Sequence, residues 1–182
     1  MHKILVLVGS LRAGSYNRKL AGALEKIAGD KMSFTFADLG ALPHYDNDLW
    51  EQPPETVTRF KSQIEAADGI LVVTPEYNRT YSPIIGNAIA WGSRPPRESA
   101  WTKKPAAIAG TSPGAIGTAA AQALLRSVLV HVDLKVMGQP ELYLQFKQGL
   151  IDDDLQVTNE GTREFLASWI NAFDAFIGQS KN

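Results

Sequence analysis

Runs of four or five apolar residues recur along the chain, each giving way to a glycine- or proline-bearing loop and then to a stretch with helical spacing. Residues 4–8, 70–73 and 106–109 are unbroken apolar runs, as expected of parallel strands covered on both faces. Met32, Phe34 and Phe36 instead alternate with Ser33 and Thr35, which predicts an edge strand with one wetter face. Leu134, Val136 and Met137 make a weaker fifth strand. Between the runs, Leu20, Leu24 and Ile27 share one helical face, as do Val57, Phe60, Ile64 and Ala67, so both stretches predict crossover helices. Ser82 and Pro83 open another helix, which carries Asn87 and Trp91. A helix from about Ala115 to Val130 is apolar nearly all round, with Ala119, Ala120, Ala121 and Ala123 permitting close approach; it is either wholly buried or half of a contact between copies. The last helix gathers Phe165, Leu166, Trp169, Ile170, Phe173, Phe176 and Ile177 into one stripe that closes the domain. Strand, loop and helix in alternation predict an α/β fold, and no repeat or linker divides residues 1–182.

Composition narrows the chemistry. The chain of 182 residues contains no cysteine, which removes disulfides, thiol nucleophiles, thiolate metal sites and iron–sulfur clusters together. Redox chemistry, if the protein performs any, must come from a bound cofactor. With 18 basic against 19 acidic residues, no field is set up that would draw nucleic acid or an anionic bilayer. The apolar run at residues 4–8 is too short for a signal-peptide core or a membrane span, and the expectation is a cytoplasmic protein. His2, His44 and His131 lie far apart with no metal-ligand spacing. Asp152, Asp153 and Asp154 are adjacent rather than convergent, and read as a solvated loop.

The loop after the first strand, residues 9–17, sits where an α/β sheet offers backbone N–H groups to an anion. Gly9 and Gly14 have P-loop spacing, but Ser15 and Tyr16 stand where that loop needs Lys and Ser or Thr. Ser10, Leu11 and Arg12 likewise break the dinucleotide fingerprint. Left are the neutral donors Ser10, Ser15 and Asn17 and one fixed cation, Arg12, an inventory suited to a single terminal phosphate. A helix cap with Arg12 in solvent would use the same residues. Thr74, Pro75, Glu76, Tyr77, Asn78 and Arg79 follow another buried run. In a sheet of order 2-1-3-4-5, both loops open onto the crevice at the topological switch point.

At these residues the chain resembles the NADPH-dependent FMN reductase family, on its chromate and quinone reductase branch. The resemblance is carried by residues 9–12 with Ser15 and Asn17, residues 42–48, residues 74–78 and residues 111–114, and it spans roughly residues 3–178. It implies a flavodoxin-like three-layer sandwich around a five-stranded parallel sheet, binding FMN without a covalent link. By that resemblance Ser10, Arg12, Ser15 and Asn17 hold the phosphate, Tyr16 belongs to the same cofactor-binding loop, Pro75, Glu76, Tyr77 and Asn78 line the isoalloxazine, and Ser112 and Gly114 approach its other edge. It further implies hydride transfer from NAD(P)H to the flavin and two electrons onward to a small acceptor: a quinone, an azo compound or chromate. A homodimer, or a homotetramer built as a dimer of dimers, is implied as well, with residues 43–48 near the dimer contact. Ala120 and Ala123 stand where some chromate-reducing relatives carry an arginine and a tyrosine, so their polar network between dimers is expected to be absent or different here. Two other classes compete: a flavodoxin-type electron carrier without NAD(P)H turnover, and a non-enzymatic phospho-ligand module on the same fold.

Overall fold

The computed structural model describes residues 1–180. Its strands are β1 (His2–Val8), β2 (Met32–Phe36), β3 (Gly69–Val73), β4 (Pro105–Ser112), β5 (Lys135–Val136) and β6 (Leu142–Gln145). The helices are α1 (Tyr16–Ala28), α2 (Glu55–Ala66), α3 (Pro83–Gly92), α4 (Ala119–His131) and α5 (Glu160–Ser180). All strand pairs are parallel, in the order β2-β1-β3-β4-β5. The expected fifth strand is split. Pro105 and Ala106 of β4 pair with β5, whereas residues 109–112 pair with β6. Two short strands thus share one flank of β4, and the second half falls at Leu142 and Leu144, beyond the apolar trio expected to form it.

Period-two alternation divides the strand side chains between two cores. Ile4, Val6, Val8, Leu71 and Val73 pack with α1 and α5, and Leu5, Leu7, Ile70 and Val72 pack with α2, α3 and the inner face of α4. Trp169 and Phe173 on α5, and Trp91 and Trp101 opposite, are wholly buried. Burying a side chain of the size of Phe173 contributes about 1.5–3 kcal/mol. β2 is an edge strand as expected: Phe34 and Phe36 pack inward while Thr35 is exposed.

α4 starts at Ala119 rather than near Ala115. Gly117 adopts φ +61° and its N–H donates to the Gly114 carbonyl at 3.1 Å, so residues 114–117 form a turn that a helix cannot include. Nor is α4 wholly buried. Ala121, Gln122, Leu125 and Leu129 face inward, and Leu124 and Val130 are 51% and 62% exposed on the outer side with Ala123 and Ser127. No helix among the described residues is long and apolar enough to cross a membrane.

Candidate functional site

The strand order reverses between β1 and β3, so the loops that follow these strands diverge and leave a crevice at the carboxyl edge of the sheet. The first loop turns into α1 through Ser15, whose hydroxyl accepts from the Arg18 N–H at 3.2 Å as the helix cap. The first-turn N–H groups of Tyr16 and Asn17 have no acceptor among the described residues. Together with the positive end of α1 they form an anion-receiving surface. Arg12 is exposed; its guanidinium donates to the Gly14 carbonyl at 2.6 Å and lies 5.0 Å from the Tyr16 ring centre.

Asn17 has a different task from the one its residue type suggests. Its side chain is 96% buried, donating from Nδ2 to the Thr111 carbonyl and accepting the Thr111 N–H at Oδ1, both at 3.0 Å. The amide therefore rivets α1 to the end of β4, leaving Ser10, Arg12 and the helix amides as the groups free to meet a phosphate.

The loop after β3 is a tight hairpin in which Tyr77 and Thr80 exchange backbone hydrogen bonds at 3.0 Å. Asn78 and Arg79 at its tip have φ of +52° and +64°, the conformation a two-residue hairpin turn needs. Tyr77 is left 48% exposed. Glu76 turns inward, its side chain only 9% exposed; Oε1 accepts from Arg79 Nη1 at 3.0 Å and Oε2 from the Ala121 N–H at 3.1 Å. It ties this loop to the first turn of α4. In the third loop, Ser112 Oγ donates to the Gly117 carbonyl at 2.6 Å, and Gln145 Nε2 donates to the Pro113 carbonyl at 3.1 Å.

These loops enclose a crevice of about 280 Å³. Nine of the sequence-predicted residues line it: Ser10, Arg12, Ser15, Tyr16, Asn17, Pro75, Glu76, Tyr77 and Ser112. Thr111 and Pro113, inside a recognised motif but not singled out, complete the wall. Asn78 and Gly114 adjoin wall residues without lining it themselves. The donor set fits FMN: a phosphate-sized anionic head for the α1 amides and Arg12, and an exposed Tyr77 ring between loops for a flat heterocycle. A second hollow of equal volume, between β1, β2 and α2, is lined by Lys3, Ser33, Thr35 and Gln63. It lies at the opposite, amino-terminal end of β1 and has no helix N-terminus or aromatic face.

Residues 43–50 are clasped onto α3. Asn87 donates to the Pro43 carbonyl at 2.9 Å and accepts the Tyr45 N–H at 2.8 Å, and Trp91 Nε1 also donates to the Pro43 carbonyl, at 2.8 Å. The Tyr45 and Trp50 rings meet the Trp91 ring edge-on at 4.8 and 5.4 Å. His44 is exposed beside this clasp. Arg126 and Glu141 form an ion pair at 3.3 Å, with Arg126 also donating to the Met137 carbonyl. No cluster of potential metal ligands exists among the described residues.

A parallel sheet of this order, with an anion-receiving loop and an aromatic-edged crevice at its switch point, defines a flavodoxin-like α/β protein. Comparison with known proteins places it more narrowly. The family model for NADPH-dependent FMN reductases matches residues 2–149. The chain is 46% identical to a 2-hydroxy-1,4-benzoquinone reductase of Burkholderia sp over 175 residues, covering 96% of each chain. It is 42% identical to a quinone reductase of Pseudomonas putida, covering 97% of this chain and 95% of that one. Among solved structures, FerB, the flavoenzyme NAD(P)H:(acceptor) oxidoreductase from Paracoccus denitrificans, superposes with a TM-score of 0.97 at 44% identity over 99% of both chains. The chain belongs to the NADPH-dependent FMN reductase family, and its class is that of NAD(P)H-dependent FMN and quinone reductases.

Proposed function

We propose that this protein binds FMN non-covalently in the crevice between its three loops and uses NAD(P)H to reduce small acceptors of the quinone type. The observation that carries the proposal is the convergence on one crevice of Arg12, the unpaired amides of Tyr16 and Asn17, and the exposed Tyr77 ring. Bound FMN supplies hydride acceptance and electron delivery, so the side chains need furnish no nucleophile, metal or general acid. The tasks of the chain are binding and orientation. Ser10, Arg12 and the α1 N-terminus hold the phosphate, and Pro75, Glu76, Tyr77 and Ser112 bracket the ring, with Asn78 and Gly114 beside them. Tyr77 keeps one edge of the crevice open to nicotinamide and acceptor in turn. Azo compounds and chromate belong to this proposal as further acceptors, because an exposed reduced flavin discriminates weakly among small oxidants. We also propose a homodimer or homotetramer, supported by the outward apolar face of α4, and a cytoplasmic setting, where NAD(P)H is the available reductant.

Anaerobic addition of NADPH to the purified, FMN-loaded protein tests the reaction. Rapid bleaching of the flavin absorbance, reversed by a benzoquinone, is expected; no bleaching over minutes would instead identify an electron carrier. Replacing Arg12 by Ala removes a charge-assisted contact of about 1.5–3 kcal/mol and should weaken FMN roughly ten- to a hundredfold. Unchanged flavin retention by that variant after extensive dialysis would refute the phosphate assignment.

A further inference from the structure

The helical layer on one face of the sheet stops short of the β2 edge. α2 packs over Leu5, Ile70 and Val72, whereas β2 sends no side chain into that core; Phe34 and Phe36 belong to the opposite one. The strand register sets Ser33 beside Lys3 and Thr35 beside Leu5, so these four side chains share the face on the α2 side. A hollow of about 280 Å³ results, floored by them and walled by Gln63, Ala66 and Ala67. The Lys3 ammonium, the Ser33 and Thr35 hydroxyls and the Gln63 amide all line it, and none of them makes a hydrogen bond or ion pair among the described residues.

The local field belongs to the lysine. No residue lining the hollow is acidic, and the neighbouring Asp68 carboxylate accepts the Lys3 backbone N–H at 2.8 Å. The carboxyl end of α2, which would otherwise turn a negative potential toward the wall, is covered by Lys104, whose ammonium donates to the Glu65 and Ala67 carbonyls at 2.6 and 2.7 Å. One free cation flanked by hydroxyl and amide donors suits a single carboxylate group. The Leu5, Ala66 and Ala67 surfaces beside it suit an apolar ring, laid in the step between a flat strand floor and a helix wall. A phosphate would find neither a second cation nor a helix N-terminus, and a nucleobase would find no aromatic face. We propose that this hollow is a second binding site, for a small carboxylate carrying an apolar ring. It lies at the amino end of β1, whereas the flavin crevice opens past the carboxyl end. Both can be filled at once, and the proposal does not depend on the flavin assignment.

Titration of the FMN-loaded protein with sodium benzoate, followed by amide NMR shifts and by calorimetry, is the test. The shifts should saturate and cluster at residues 3–5, 33–35 and 63–67, with a Kd of about a few millimolar or tighter, as fits a ligand of so few atoms. Lys3→Gln should weaken benzoate by about fivefold or more. Replacing Ser33 and Thr35 together by Ala should weaken it by about threefold or more. Benzamide, the neutral isostere, should bind wild type at least about fivefold more weakly than benzoate and lose nothing further in Lys3→Gln. Lys3 is exposed, so its variant should keep the wild-type thermal midpoint; if the double variant fails to fold, Lys3→Gln and benzamide decide the matter. Shifts gathered at residues 10–17 and 75–78 would put the acid in the flavin crevice and overturn the proposal. Shifts that never saturate, benzamide binding as well as benzoate, or Lys3→Gln within about twofold of wild type overturn it too. Failure of the protein to take up FMN would refute the flavin assignment alone, and the same titration of the flavin-free protein would still decide this site.

Discussion

Glu76 illustrates how a side chain beside a ligand crevice can matter through something other than the ligand. Thr118, the residue that caps α4, provides no side-chain cap, because its hydroxyl oxygen accepts from Gln122 Nε2 at 2.9 Å. The Glu76 carboxylate takes over that task from the loop after β3 by accepting the Ala121 N–H in the first helical turn. A lost N-terminal cap costs about 0.5–2 kcal/mol, typically ~1. Removing a carboxylate from the positive end of a helix costs about 0.3–1 kcal/mol more, toward the upper end where the group is largely buried. The bond to Arg79 adds little, since that side chain is 73% exposed and an exposed ion pair contributes about 0–1 kcal/mol.

Glu76→Ala should therefore destabilise the flavin-free protein by about 2 kcal/mol, which for a domain of this size lowers Tm by roughly 4–8 °C. Glu76→Gln keeps a carbonyl acceptor for the Ala121 amide and loses the charge, so about half that loss is expected. Arg79→Ala should stay within about 0.5 kcal/mol of wild type. Thermal unfolding followed by circular dichroism measures all three, and amide exchange at Ala121 should accelerate in the alanine variant alone. If Arg79→Ala proves as damaging as Glu76→Ala, the ion pair and not the cap holds the loop, and the reasoning is refuted.

Asn17→Ala removes both side-chain bonds to the Thr111 backbone and leaves a buried peptide group unpaired, for a loss of about 2–4 kcal/mol; a denaturant midpoint within error of wild type would show that the rivet is not needed. Gly110→Ala should also be poorly tolerated, because a Cβ there would lie 1.9 Å from Thr118 Oγ1 and 2.6 Å from the Thr74 carbonyl oxygen; overpacking of this kind costs about 1–3 kcal/mol or more, read in the same denaturation experiment. Although Tyr143 is 38% exposed, partial desolvation of its phenol, and after it the neighbouring Glu141 carboxylate, raise it above the ordinary tyrosine range. Its folded-state proton is thus held too tightly, and stability present below the ordinary tyrosine value is lost as pH climbs through the raised one. Alkaline absorbance titration should show one late-ionising tyrosine that disappears in Tyr143→Phe and shifts downward in Glu141→Gln.

The parts of this molecule legible in the sequence are those governed by local periodicity. Unbroken apolar runs can be strands only if both faces are covered, so β1, β3 and β4 and the three-layer arrangement follow together. The alternation at residues 32–36 likewise marks the edge. What escaped detection depends on neighbours distant in sequence. β6 has a mixed pattern, Leu142 and Leu144 separated by the exposed Tyr143, and becomes a strand through its pairing with residues 109–112. The late start of α4 is set by the turn at Gly117. Glu76 as a cap and Asn17 as a rivet span 45 and 94 residues, and no local signal announces either partner.

Those long-range bonds share a geometry that bears on binding. Asn17 joins the first loop's helix to the start of the third loop, Glu76 joins the second loop to the far end of the third, and Gln145 fastens the third loop to β6. Each uses a side chain from one element and a backbone group of another, so the spacing of the loops is set by the chain itself. Ordering a flexible binding loop costs free energy that would otherwise appear as affinity, and here much of that ordering is complete before a ligand arrives. Arg12 is the contrasting case: it is exposed and satisfied only by its own loop's Gly14 carbonyl and the Tyr16 face, so it can reorient toward a phosphate without breaking any tether between loops. On the proposed assignment, a crevice with fixed walls and one adjustable cation would grip a phosphate end while the Tyr77 edge stays open, the arrangement required where one cofactor stays and two substrates exchange.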